Sequence, residues 1–222
     1  GGNVKVDQVK KLAEKWFGTI PAGKKYMRNL PQEPKQTSPA FLEVTAGVPL
    51  DALYKCWHMG SRLDTRYYTA DLITEILGGG ASSRLFQSLV KEQQLFSSIH
   101  CSHFGSIDAG LLFIDGRLIK GIKMEQAEKA VAIELNKMKD QQVNTSELQK
   151  VKNKTESLMA FEDISLANRA NSLATYELLG DADLMNRELG LYQRVTVEEI
   201  QQACRTIFVE ENCSTLYYRS EN

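Results

Sequence analysis

The chain has 222 residues, of which 42% are apolar and 25% are charged, which is ordinary for a globular protein. Its formal net charge of −1 gives no electrostatic footprint for a nucleic acid or an acidic membrane. No stretch approaches the roughly 20 apolar residues of a membrane span. We therefore expect a globular protein that binds no nucleic acid, has no membrane span, and is long enough to fold without disulfides or a structural metal.

An amphipathic helix and a proline-rich segment open the chain. Apolar residues recur at helical spacing over Val6–Phe17, and Gly18 ends the pattern. Four of the five prolines fall between positions 21 and 39, which favours an extended linker because proline removes a donor and restricts the residue before it. A lone helix ahead of a linker has nothing of its own to pack on. We therefore predict a closing helix of a preceding domain over 1–20, a proline-rich linker over 21–40, and an α+β domain over 41–222.

Two strands and two helices are predicted at the beginning of this domain. Phe41–Ala46 and Leu50–Met59 have strand patterns, and the second is apolar on both faces, which predicts a central position in the sheet. A helix follows over Asp64–Leu77, and another begins at Ser82 or Ser83, either of which could cap it. The apolar spacing predicts that these helices bury Leu72, Ile73, Ile76, Leu85, Phe86, Leu89 and Val90.

A strand pair, a block of helices and a last strand complete the predicted order. Leu95–Phe104 and Gly110–Ile119 form the pair around turn residues 105–108. Five helices are predicted next, over Met124–Met138, from Asn144, over Ser165–Leu179, from near Asp183, and over Thr196–Phe208. Asn144 is the cap of the second helix, with Glu147 at its third position. Thr196 and Glu199 form a capping box at the start of the last helix. Cys213–Tyr218 is the last strand. This order indicates an α+β fold, with helices packed on one face of a mostly antiparallel sheet.

The three histidines lack the spacing of a zinc site. His100 and His103 lie in a predicted strand, where residues three apart point to opposite faces. The chain contains neither His-x-x-Glu-His nor its inverse. We therefore predict no metal ligand and no cofactor in this chain, and we interpret the histidines as partly buried and hydrogen-bonded.

No residue has the sequence context of a catalytic nucleophile. A Gly-x-Ser-x-Gly elbow is absent, and the four cysteines lie among apolar residues, which is typical of buried free thiols. Pairing of Cys204 with Cys213 across a helix–strand corner stays open, because spacing alone does not decide it. The Gly78–Gly80 run lacks the ending of a phosphate-binding loop, so we interpret it as a helix end followed by a serine cap. The prediction is that this chain has no catalytic residue.

One segment carries a specific family resemblance. The core Gly-Gly-Gly-Ala-Ser-Ser-Arg-Leu-Phe at Gly78–Phe86, within Leu72–Leu95, resembles a signature of the pitrilysin/insulinase family of zinc metallopeptidases. Trp16–Gly23 is similar to the closing helix of that family's first half, and Asn144–Asn153 is similar to a later helix start. The resemblance implies two similar α+β halves, in one chain or in two subunits, that close over a peptide. One half carries the zinc site, and this chain resembles the second, metal-free half.

The resemblance also implies where substrate contacts would lie. Second halves of the family often present an arginine and a tyrosine to the substrate backbone, and those positions are Val90 and Ser97 here. These two are therefore degenerate substrate-binding positions. The absence of this arginine and tyrosine leaves three arrangements open. The chain binds the substrate through other residues, a partner subunit supplies the pair, or the domain is a scaffold that no longer binds substrate. Within the signature, Ser82, Ser83 and Arg84 are predicted to line the surface that faces the substrate or the partner half. A structural salt bridge is the alternative for Arg84.

The function implied by the resemblance is that of the non-catalytic half of a zinc-dependent endopeptidase. It would enclose an unstructured peptide against a zinc-bearing half, where a zinc-activated water and a glutamate base would do the chemistry. This chain would supply chamber wall and sheet edges to which an extended peptide can add. The alternatives are a structural or assembly subunit without a peptidase role and an autonomous peptide-binding module. Bacterial cytoplasm and periplasm both fit as the compartment.

Overall fold

The computed structural model describes residues 2–24, 31 and 33–221. A helix, α1, opens the chain at Val6–Phe17, as its apolar spacing predicts. The first part of the domain contains β1 (Ala40–Ala46), β2 (Ala52–Ser61), α2 (Tyr67–Gly78), a π-helix (Phe86–Glu92), β3 (Phe96–Phe104) and β4 (Ala109–Leu118). The second part contains α3 (Met124–Asp140), α4 (Thr145–Glu162), α5 (Leu166–Leu178), α6 (Leu184–Arg194), α7 (Val197–Ile207), a short 3₁₀ helix (Glu210–Asn212) and β5 (Cys213–Ser220).

The five strands form one sheet in the order β1-β5-β2-β4-β3. Strand β5 runs parallel to β1 and antiparallel to β2, and the β2–β4 and β4–β3 pairs are also antiparallel. The predicted α+β class with a mostly antiparallel sheet is confirmed. Strand β2 occupies the centre, as its apolar pattern predicts.

The core lies between one face of this sheet and the helices. Leu53, Trp57 and Met59 alternate along β2 and are buried there, as are Leu72, Ile73 and Ile76 of α2. A fully buried side chain of this size contributes about 1.5–3 kcal/mol relative to an exposed one. The contacts of α2, α3 and α7 with β2 place these helices over that face. The predicted helical layer on one face is thus confirmed.

The other face of the sheet is open and largely apolar near its centre. The strand register places Leu42, Leu216 and Tyr54 side by side in one row across β1, β5 and β2. Cys56, two residues after Tyr54 in β2, is paired with Phe113 of β4. Leu42 is 59% exposed and Tyr54 is 40% exposed, so helices of the described residues leave this face uncovered. A cavity of about 460 Å³ lies over it.

The beginning of the chain is separate from this core. Every described residue of α1 is exposed. Most of the predicted linker forms neither a helix nor a strand where the structure describes it, and residues 25–30 and 32 of that prediction lie outside the described residues. Its end is tied to the sheet, because Gln36 Nε2 donates to the carbonyl of Cys213 at 3.0 Å. The division into three parts stays a prediction.

Two of the predicted caps differ from the structure. Neither serine caps the helix after the glycine run: Ser83 is buried, and Ser82 Oγ accepts a hydrogen bond from Lys150 at 3.2 Å. Asn144 does cap α4, accepting from the amide of Ser146 at 2.9 Å, but Glu147 binds Arg84 instead of completing a capping box. The capping box of α7 is confirmed. In the described residues, no helix is both long and apolar enough to cross a bilayer.

Candidate functional site

Arg84, in the signature segment, is held by a carboxylate of α4. Its Nε and Nη2 donate to the two carboxylate oxygens of Glu147 at 3.0 and 2.6 Å, a two-pronged ion pair that fixes both side chains. Hydrogen bonding to Glu147 raises the pKa of Arg84. The structure therefore shows the structural salt bridge for Arg84. A substrate group could reach this guanidinium only in competition with Glu147.

The two serines beside Arg84 differ in access. Ser82 is exposed, whereas Ser83 is 4% exposed and its Oγ has no hydrogen-bond partner among the described residues. Of these two serines, only Ser82 therefore offers an accessible hydroxyl group. That Ser82, Ser83 and Arg84 line the substrate or the partner half stays a prediction.

Val90 and Ser97 lie where the resemblance places substrate contacts. Val90 is half-buried in the π-helix and packs against the hydrophobic core, as its position on the apolar stripe predicts. Ser97 is exposed at an irregularity of β3, and its Oγ donates to the carbonyl of Arg117 at 3.1 Å. Neither position supplies a cation or a phenol.

The three histidines have different neighbours in the structure. Nδ1 of His103 lies 3.4 Å from Asp71 and its Nε2 lies 3.0 Å from the Tyr67 hydroxyl. His100 is exposed on the same strand, and Nε2 of His58 lies 3.5 Å from Glu33. Within the described ranges, no group of three His, Cys, Asp or Glu side chains could hold a metal ion. The residues present here therefore do not fit a zinc site.

The cysteines are free thiols. Three of the four are buried, Cys56 is half-buried, and Cys204 and Cys213 form no disulfide with each other. Burial raises the pKa of the Cys204 thiol to about 12, and it also raises the pKa of Cys56 and Cys101. A protonated thiol is neither a nucleophile nor a metal ligand at neutral pH.

A buried cluster of charged and aromatic side chains was not predicted from the sequence. Arg62 forms an ion pair with Glu188, and their side chains are 15% and 7% exposed. Arg62 Nη1 donates to the Tyr68 hydroxyl at 3.2 Å, and the guanidinium lies over the Tyr67 ring with its carbon 4.2 Å from the centroid. The Tyr176 hydroxyl donates to the other carboxylate oxygen of Glu188. Burial raises the pKa of Glu188.

This cluster borders a cavity of about 430 Å³. The walls come from the turn after β2, the start of α2, the β3–β4 turn, and α5 with the residue after it. The lining residues are Arg62, Tyr67, Gly105, Ser106, Ile107, Asn171, Ser172, Thr175, Tyr176, Leu178 and Leu179. No local sequence pattern marks this cavity, because its walls are far apart in the chain. The one signal in the sequence is that Arg62, Tyr67 and Tyr68 of the cluster lie close together in the chain.

Comparison with known families identifies the chain's relatives. The family model of the peptidase M16 inactive domain matches residues 1–155. Over its whole length the chain is 25% identical to the uncharacterized zinc protease YmxG of Bacillus subtilis (strain 168), and it spans 53% of that protein. The chain thus covers about half the length of this curated relative.

Solved structures share the fold. A protease from Helicobacter pylori matches with a TM-score of 0.90 at 20% identity, over 97% of this chain and 53% of that one. A peptidase M16 inactive domain from Pseudomonas fluorescens matches with a TM-score of 0.79 at 15% identity, over 99% of this chain and 52% of that one. At these identities the likeness concerns the fold alone.

Proposed function

Because the chain belongs to the peptidase M16 inactive-domain family, we propose that it is the non-catalytic half of a zinc-dependent endopeptidase. In this role it encloses a peptide substrate against a zinc-bearing half. The observation that carries the proposal is the match of the whole chain to about half of a protein named as a zinc protease. The remaining half of this relative has room for a second half of similar size, and we propose that this chain's zinc-bearing half lies in the same chain or in a separate subunit.

The shape of the domain supports this role. Its helices cover one face of the sheet, while the other face exposes Leu42 and Tyr54 beside a cavity of about 460 Å³. An exposed apolar face of this kind is typical of a surface that meets a partner or a ligand. We propose that it forms part of the wall of the enclosed space.

Zinc belongs to the other half in this proposal. The described residues of this chain do not fit a zinc site, since they contain no group of three His, Cys, Asp or Glu side chains that could hold a metal ion. This chain would contribute walls, contacts with the substrate and the exclusion of water. Ser82 is an exposed residue of the signature, and we propose it for contact with the substrate or the partner half.

A structural or assembly role is the alternative. It is favoured by Val90 and Ser97, which lack the arginine and the tyrosine of the resemblance, and by Arg84, which is already bound to Glu147. A subunit that only supports assembly would need none of these contacts.

The test combines this chain with its zinc-bearing half and follows cleavage of a peptide mixture by mass spectrometry. We expect little cleavage by the zinc half alone and cleavage after the two are combined. We also expect this chain alone to contain well below one equivalent of zinc by elemental analysis. Equal activity of the zinc half on its own would refute the enclosing role, and unchanged assembly without any cleavage would favour the structural alternative.

A matched pair of variants tests the wall. Tyr54→Lys places a charge on the open face, whereas Leu158→Lys places one at an exposed position of α4. We expect Tyr54→Lys to raise KM for peptides severalfold and Leu158→Lys to leave it within twofold. Equal effects of both variants would contradict the proposed position of the open face.

A further inference from the structure

The cavity beside Arg62 lies between a wall that belongs to the packed core and a wall formed by an exposed helix. Its inner side is built on α2, where Tyr68 is buried, and on the turn that joins β3 to β4. Its outer side is α5, in which every described residue is at least partly exposed. A helix held by so few buried side chains can shift to admit a ligand at low cost.

Arg62 brings unused hydrogen-bond donors to this cavity. A guanidinium has five N–H groups. Within the described part of the chain, the Arg62 guanidinium donates two hydrogen bonds, one to the Tyr68 hydroxyl and one to Glu188. The remaining N–H groups are available to an acceptor. Tyr67 and Glu188 hold the guanidinium in place, so the donors are pre-oriented.

The charge balance favours a neutral acceptor over an anion. Glu188 already neutralises Arg62, and Asp71 lies close enough to His103 and Tyr67 to influence both. A bound carboxylate would share one guanidinium with Glu188 in a mostly buried place, and like charges at that range repel. A carbonyl oxygen accepts the same hydrogen bonds without that repulsion.

The rest of the lining matches a peptide segment. Asn171 and Ser172 stand at the α5 side, and the side chains of both lack a hydrogen bond to any other described residue. Asn171 can donate and accept, as a peptide group requires. Ile107, Leu178 and Leu179 give the cavity an aliphatic side. Its volume of about 430 Å³ lies within the range of about 300–1,000 Å³ of ligand pockets.

We propose that this cavity binds main-chain carbonyl groups of an extended peptide next to one aliphatic side chain, with Arg62 as the donor. The proposal rests on the enclosing role proposed above, and it adds a peptide contact that is distinct from the Val90 and Ser97 positions. Ser97 lies at the beginning of β3 and Gly105 just after its end, which separates the two places by roughly 27 Å at about 3.4 Å per residue.

The experiment is a titration of the ¹⁵N-labelled chain with the peptide acetyl-Ala-Leu-Ala-amide, followed by NMR. We expect saturable shifts at the amides of Gly105, Ser106 and Asn171. Ser172→Phe fills the cavity from α5 and is expected to weaken binding at least tenfold. Ala174→Phe is the matched control, because Ala174 is exposed on the same helix and does not line the cavity. It should leave binding unchanged.

The outcomes separate the alternatives. A thermal midpoint of Ser172→Phe close to that of the unmodified chain verifies folding, and Asn171→Leu, expected to weaken binding severalfold, is a second variant. Shifts that persist unchanged in Ser172→Phe, or no saturable shifts, would overturn the proposal. Binding of the peptide with a free carboxylate that is tenfold tighter would overturn the preference for a neutral acceptor. Because the measurement needs no zinc-bearing half, its result is independent of the cleavage assay.

Discussion

His103 is a residue at which burial and charge oppose each other. Its imidazole lies between Asp71 and the Tyr67 hydroxyl, with 14% of the side chain exposed. Burial lowers the pKa of His103, Asp71 raises it and Arg62 lowers it, and the net shift is downward. The folded protein therefore keeps this imidazole neutral at a pH where a histidine in the unfolded chain, with a pKa of about 6.5, is already charged.

This shift predicts a loss of stability in mild acid. Between the lowered pKa of folded His103 and about 6.5, the unfolded chain binds a proton that the folded chain does not, so the free energy of unfolding decreases as pH falls. We expect His103→Gln to flatten that decrease in urea unfolding curves at pH 7.5, 6.5 and 5.5. His100→Gln, at an exposed position of the same strand, is the control. An unchanged pH dependence in His103→Gln would exclude this residue as the cause.

Side-chain partners could be predicted only where they are neighbours in sequence. Thr196 and Glu199 form the predicted capping box because one helical turn contains both. Glu147 has the same spacing from Asn144, but Arg84, 63 residues away, takes its carboxylate. The cavity beside Arg62 escapes prediction for the same reason, because only folding brings its walls together.

The contact between α2 and β3 depends on a glycine. A Cβ built at Gly78 would lie 2.0 Å from the backbone nitrogen of Cys101, so only glycine allows the helix to approach the strand this closely. The run that the sequence suggests as a helix end thus has a packing role as well. Gly80 provides the chain reversal, with a φ of 113°.

Gly78→Ala should therefore be strongly destabilising. We expect a loss of about 3 kcal/mol in the free energy of unfolding, at the upper end of overpacking effects, because the strand backbone has to move. Gly190→Ala in α6 is the control, since a Cβ there meets nothing within 4 Å. Alanine in a helix interior should stabilise by roughly 0.5–1 kcal/mol. Urea unfolding of both variants measures the difference, and similar effects would contradict the close approach.

The helix after the glycine run shows why element type is harder to predict than element position. Its apolar residues Leu85 and Leu89 are buried as predicted. Over Phe86–Glu92, however, the helix has π geometry. Across seven residues the apolar spacing of an α-helix and a π-helix overlap, so the pattern places the segment without distinguishing its hydrogen bonding.

At the scale of the whole molecule, α1 and α7 have a similar spacing of apolar residues and different surroundings. Both are amphipathic, yet α7 buries Ile200, Ala203 and Cys204 while every described residue of α1 is exposed. An apolar stripe predicts that one face of a helix packs against other residues, but it does not identify the part of a protein that it packs against. This is why the chain order and the α+β class were predictable and the partner of α1 was not.

A pair of substitutions measures this difference. Leu12→Ala in α1 should change the free energy of unfolding of this chain by at most about 0.5 kcal/mol, because Leu12 is 49% exposed. Ile200→Ala in α7 should cost about 2–5 kcal/mol, because it removes a fully buried side chain. Chemical denaturation followed by circular dichroism provides both values. A cost above about 1 kcal/mol for Leu12→Ala would show that α1 packs on this domain.

The position of β5 between β1 and β2 has a consequence for biosynthesis. Among the described residues, strand β1 is at the edge of the sheet and pairs with β5 alone, and Ala40 meets Ser214 in that pairing. A ribosome that adds about 5–20 residues per second needs roughly 9 to 35 seconds to reach Ser214 after Ala40. During that interval the emerging β1 has both edges unpaired. The nascent chain therefore exposes an apolar strand until β5 has been synthesised, and a chaperone that shields extended segments would act in this interval.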